Sequence, residues 1–182
     1  MTLEKLASQG HQTIQGSMAA GIGTRIKDIR KEFIKESFSD FQDIEHRLEK
    51  IANVHGIEFI NDSKATNVNS TWFALETMTK PVIWIAGGVD TGTDFKILCE
   101  LIRKCVKAII CLGLDNDHLI TAITETDVPF LTTQSMTEAV ELAYLAGTNG
   151  DVVLLSPACA SFDLFMDYED RGNAFKKAVR NL

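Results

Sequence analysis

Three short stretches of this chain are apolar without interruption: residues 82–86, 108–112 and 152–155. A strand with one wet face alternates apolar and polar side chains, because successive residues point to opposite faces. A run with no polar positions belongs to a strand covered on both sides, as parallel strands in α/β domains are. Further strands are expected at 57–60 and 129–131. Helical segments are expected at 70–78, 95–104, 117–125 and 136–146, with a last helix over 169–179. Strands alternating with helices through short turns give a doubly wound sheet. Segment 48–54 reaches 57–60 through only His55-Gly56, so it is expected as an antiparallel hairpin partner. The fold class that follows is α/β: a Rossmann-like, mostly parallel sheet of about six strands, one antiparallel, flanked by helices.

In such a sheet the carboxyl ends of the parallel strands share one rim, and ligands bind there. Three loops on that rim carry candidate chemistry. The first is Asn61-Asp62-Ser63-Lys64-Ala65-Thr66-Asn67, between a strand and a helix. Asp62 suits sugar hydroxyls, Lys64 a phosphate or carboxylate, and Thr66 can donate to an anion. A capped turn accounts for one or two of these residues; the lysine among them points to a ligand. The second loop is Gly87-Gly88-Val89-Asp90-Thr91-Gly92, and the third runs from Ser156 through Cys159 and Ser161 to Phe162 and Asp163. Small residues let a ligand approach backbone N–H groups closely. Arg47, just ahead of the first strand, suits a phosphate clamp or a surface ion pair. Arg171 is expected to pair with a carboxylate of the protein. Cys159 has no histidine near it in sequence, so a nucleophilic role is not expected.

Bulk properties exclude several classes. A net charge of −7 and a pI near 5.1, with no long basic run, do not suit a nucleic-acid surface. The apolar runs are too short to span a bilayer, and the first residues do not form a signal peptide. Cys99, Cys105, Cys111 and Cys159 form no CxxC pair, which suits free thiols in a cytoplasmic protein rather than a disulfide or zinc framework. No metal site is expected. Neither GxGxxG nor GxxxxGK[ST] occurs.

Five stretches in order carry a resemblance: Glu45-His46-Arg47-Leu48-Glu49, residues 61–67, Gly87-Gly88-Val89-Asp90, residues 155–163, and Tyr168-Glu169-Asp170-Arg171-Gly172. The set resembles the C-terminal domain of the Mur ligases, over about residues 40–182, and among them the members that add D-glutamate. The resemblance implies two parts: residues 1–40, a helical remnant of the family's central ATP-binding domain, and 41–182, the Rossmann-like ligase domain. It implies an acyl-phosphate ligase using ATP and Mg2+ in a longer parent chain. Arg47, Asp62 and Lys64 would meet the nucleotide, with Lys64 also the catalytic candidate. Thr66, Thr91, Ser161, Phe162 and Tyr168 would line a D-glutamate pocket. The partners implied are small-molecule substrates and the parent's other domains, with no nucleic acid and no membrane. The family usually has lysine where this chain has Thr91, and a lysine-histidine-asparagine run with a second asparagine where it has His11-Gln12-Thr13-Ile14-Gln15-Gly16. The family's P-loop and magnesium-binding residues, which the central domain carries, are absent here, so the chain is expected to be a fragment without activity of its own. A Mur-type ligase for another amino acid, or a non-catalytic ligand-binding module, also fits these residues.

Overall fold

The computed structural model describes residues 45–90 and 92–182; the expected helical remnant at 1–40, and Thr91, lie outside the described residues. Six strands form one sheet: β1 (Glu49–Val54), β2 (Ile57–Asn61), β3 (Val82–Ala86), β4 (Val106–Leu112), β5 (Phe130–Thr133) and β6 (Val152–Leu155). Their order is β1-β2-β6-β3-β4-β5. Only β1 and β2 pair antiparallel; the other neighbours are parallel, as the apolar runs require. The hairpin turn has His55 at φ 50° and Gly56 at φ 86°, two left-handed residues in succession. That twist matches the flanking strands.

Helices cover both faces. α1 (Val68–Thr77), α2 (Cys99–Cys105) and α3 (Asp117–Thr124) pack over Trp84, Ile109 and Leu154. α4 (Met136–Ala146) and α5 (Tyr168–Arg180) pack over Phe59, Ile83, Ile85, Ile110 and Val153. β3 thus sends Trp84 to one layer and Ile83 and Ile85 to the other, which is why its sequence has no polar positions. Each such side chain, fully buried, stabilises by about 1.5–3 kcal/mol. The expected helix at 95–104 begins as a 3-10 turn, Phe95–Leu98, before α2. Among the described residues no helix is long and apolar enough to cross a membrane. All four cysteines are free thiols: Cys99, Cys111 and Cys159 buried, Cys105 half-buried.

β6 lies between β2 and β3, so the connections leaving β2 and β6 diverge at their carboxyl ends. That divergence opens a crevice on one rim. α5 starts at this rim. Its first turn is capped by Asp167, whose Oδ1 accepts from the Asp170 N–H at 2.8 Å, with Glu169 and Asp170 favouring the helix dipole. Asp167→Ala is expected to lower stability by about 1 kcal/mol in urea unfolding.

Candidate functional site

The three loops singled out on the rim are joined by backbone hydrogen bonds. The Asp62 N–H donates to the Leu155 carbonyl at 2.8 Å and the Ala158 N–H to the Ala65 carbonyl at 3.0 Å. Gly87 N–H donates to Pro157 O, and Val89 N–H to Ala160 O, both at 2.9 Å. Gly88 sits at φ 125°, where a Cβ would lie 2.2 Å from the Ala160 carbonyl oxygen; only glycine permits this approach.

Arg171, from α5, fastens the first loop to the third from inside. It is 2% exposed. Nε donates to Ser63 Oγ at 3.1 Å, Nη2 to the Ser63 carbonyl at 2.9 Å, and Nη1 to the Cys159 carbonyl at 3.1 Å. The carboxylate partner expected from the sequence is replaced by two carbonyls and a hydroxyl. Burial draws the guanidinium pKa down to about 10, so it stays cationic at neutral pH. Ser63 Oγ donates in turn to the Tyr168 carbonyl at 2.7 Å, which sets the start of α5 against the loop.

Of the expected site residues, Lys64 and Tyr168 meet: the Lys64 ammonium lies 5.4 Å from the centre of the Tyr168 ring. A cation in this position over an aromatic face is held electrostatically. Thr66 is half-buried on the same loop. Ser161 is buried on the third loop and Phe162 beside it is 71% exposed. The described loops therefore bring Lys64, Thr66, Ser161, Phe162 and Tyr168 to one rim. Arg47 is half-buried and close enough for its charge to act on Asp62.

Asp62 is placed differently from an open ribose-binding group. It is 5% exposed. Oδ2 accepts from Ser156 Oγ at 2.8 Å and Oδ1 from the Leu48 N–H at 3.3 Å. Burial pushes its pKa up to about 7, against the lowering effects of Ser156, the Leu48 N–H and Arg47. A nucleotide reaching this carboxyl would meet it already bonded to two internal partners.

The segment ahead of β1 is tied to the same turn. The Lys64 N–H donates to the His46 carbonyl at 3.0 Å. His46 and Leu48 are both left-handed, at φ 64° and 44°. The His46 ring is buried and accepts at Nδ1 from Asn61 Nδ2 at 2.9 Å. It occupies space that Gly172 leaves free, since a Cβ there would lie 2.2 Å from His46 Nδ1. Burial, then the nearby Lys176 charge, lowers the His46 pKa. Lys176 itself pairs with Glu45 at 2.6 Å and Glu49 at 2.9 Å. Cys159 is buried, and that burial pushes its thiol up to about 12, against a nucleophilic role.

Sequence reasoning missed one wall of the rim. The loop after β4 contributes Leu114, Asn116 and His118 to a cleft of about 440 Å³, shared with Gly87, Gly88, Asp90 and Asp163. Asp163 Oδ2 accepts from the Leu114 N–H at 3.1 Å, joining this fourth loop to the third. The rule that located the other loops applies here too, because Asp115-Asn116-Asp117-His118 follows a continuous apolar strand.

These features define an α/β domain with a polar, cation-bearing rim at its strand ends. The chain belongs to the Mur ligase family: residues 46–159 match the family model described as the Mur ligase, glutamate ligase domain. It is 50% identical, over all 182 residues, to the UDP-N-acetylmuramoylalanine–D-glutamate ligase of Christiangramia forsetii, of which it covers 41%. Identity to the same-named ligase of Salinibacter ruber is 38% over 182 residues, covering 40% of that protein. The chain thus spans about two-fifths of the length of the curated relatives it matches. Among solved structures, a murein peptide ligase from Psychrobacter arcticus superposes with a TM-score of 0.53 at 13% identity. That match covers 81% of this chain and 32% of the other. The UDP-N-acetylmuramate-alanine ligase of Thermotoga maritima gives 0.52 at 11% identity, with 80% and 32% covered. These two likenesses concern the fold.

Proposed function

We propose that this chain is the amino-acid-binding C-terminal domain of an ATP-dependent ligase that joins D-glutamate to UDP-N-acetylmuramoyl-L-alanine. The observation that carries this reading is 50% identity across the whole chain to D-glutamate ligases of several species. In the reaction, the γ-phosphoryl of ATP passes to the acceptor carboxylate, releasing ADP and forming an acyl phosphate. The D-glutamate amine then attacks the acyl carbon, and phosphate leaves as the amide forms. ATP and Mg2+ serve the parent enzyme and are held mainly by domains outside this chain.

Within that scheme Lys64 supplies a fixed cation beside the developing phosphate charge. Its perch over Tyr168 keeps the ammonium at the rim. Arg47 and Asp62 face the nucleotide, with Asp62 released from Ser156 or Leu48 on closure. Thr66, Ser161, Phe162 and Tyr168 receive the amino acid, and Thr91 belongs to the same group by its match to the family's motif. Thr91 in place of the family's usual lysine favours a second reading, the same chemistry with a different amino acid.

The test is phosphate release by the full-length ligase with ATP, Mg2+ and UDP-N-acetylmuramoyl-L-alanine, across a panel of amino acids. D-glutamate is expected to support turnover, and Lys64→Ala to lower kcat by about 100-fold or more. Turnover with another amino acid and none with D-glutamate would establish the second reading. The 182-residue chain alone is expected to release no ADP.

A further inference from the structure

The loop after β3 is held at its two ends by different means. On one side the Val89 N–H donates to Ala160 O, at 2.9 Å. On the other side the work falls to Asp90. Its Oδ1 accepts from the Gly92 N–H at 3.1 Å and the Thr93 N–H at 2.8 Å, closing the turn. Its Oδ2 accepts from His118 Nδ1, in the first turn of α3. The imidazole is braced by an edge-on contact with Phe95, 5.6 Å between centroids at 73°. Phe95 is buried, so this side of the ring rests on the core.

Gly92 is exposed. It sits at φ 85°, and a Cβ built there would meet no atom within 4 Å. Asp90 thus closes the turn from within, and His118 ties that carboxylate to another element, the start of α3. The setting makes the pairing matter. The cleft is also lined by Asp115, Asp117 and Asp163, and His118 is the one basic side chain among its described lining residues. An unpaired Asp90 would leave the loop both loose and facing an anionic amino acid with unshielded negative charge.

We propose that His118 is a positioning residue for amino-acid binding, acting through Asp90 to shape the loop after β3. The proposal rests on the function proposed above for the substrate, but not for the loop. His118 touches no reacting atom; its effect reaches the ligand through the Gly92 and Thr93 backbone.

The experiment compares the 182-residue chain with His118→Ala and His118→Gln. Amide hydrogen exchange at Thr93 is measured without ligand, and D-glutamate affinity by titration. His118→Ala is expected to speed Thr93 exchange and to weaken D-glutamate about three- to fivefold each, near the upper limit for one partly exposed pair. His118→Gln, whose amide can donate to Asp90, is expected to stay within about twofold of wild type. A role confined to general stability would lower the melting temperature of both variants without singling out Thr93. Unchanged Thr93 exchange in His118→Ala, or no rescue by glutamine, overturns the proposal. Absence of any D-glutamate response in the wild-type chain counts against the proposed function instead, and the exchange result still decides the role of His118.

Discussion

Replacing Asp62 by asparagine is expected to make the domain more stable at pH 8 and to change little at pH 4. An aspartate in an unfolded chain titrates near ~3.9, whereas burial pushes the folded Asp62 carboxyl up to about 7. Between those values the folded state holds a proton that the unfolded state has released. This group's contribution to stability is therefore most favourable below about pH 4. It falls as pH rises through the window to about 7 and then levels off. At about 1.4 kcal/mol per pH unit the whole span is on the order of 4 kcal/mol. Asparagine fits the same space: its Oδ1 accepts from the Leu48 N–H, and its amide can donate to Ser156 Oγ. It has no proton to lose. Urea unfolding of both proteins at the two pH values measures the difference. Destabilisation by Asp62→Asn at pH 8 would show that the carboxylate is well compensated where it lies. Greater stability of the asparagine variant at pH 8 would point to a purpose for Asp62 other than folding, as the proposed contact with the nucleotide requires.

Arg171→Met is expected to cost about 3–5 kcal/mol, because it leaves buried carbonyls without donors. The guanidinium makes three hydrogen bonds to Ser63 and Cys159, linking the first and third rim loops. Methionine fills much of the volume but donates nothing, and the Ser63 and Cys159 carbonyls remain far from water. Arg171→Lys is expected to recover little, since a single ammonium cannot span two carbonyls as the planar fork does. The loss should be accompanied by faster amide exchange at Val89 and Ala158, whose N–H groups close the inter-loop ladder. A variant within 1 kcal/mol of wild type would mean that the backbone bonds alone hold the rim together.

The sheet was readable because its strands are written in unbroken apolar runs. β3, β4 and β6 have every or nearly every position covered, and His55-Gly56 is too short for anything but a hairpin. β5 was placed one to two residues early, since Phe130–Thr133 is an edge strand with three exposed positions and a weak apolar signal. The rim loops were readable from composition and position. Their internal wiring was not. Asp62 in a polar turn reads as a solvent-facing group; its burial comes from Ser156, 94 residues away, which the sheet order alone brings alongside. Arg171 beside acidic residues reads as half of an ion pair, yet its partners at Ser63 are 108 residues distant and uncharged. The cleft wall at 113–119 was legible by the same rule, as a polar stretch after the apolar run of β4, and the placement of β4 next to β3 turns it toward the site.

The central claim is that the rim formed by the loops after β2, β3 and β6 receives D-glutamate. An amide-shift titration of the 182-residue chain with D-glutamate tests it most directly. Without the parent's other domains the donors sit in high dielectric, where each charged contact is weakened. The account predicts shifts at Thr66, Ser161 and Tyr168 that saturate in the millimolar range or above, roughly 4 kcal/mol of binding or less. Shifts confined to the opposite rim, around His55, Gly56 and Thr148, or micromolar binding that leaves Thr66 and Ser161 unmoved, would contradict it.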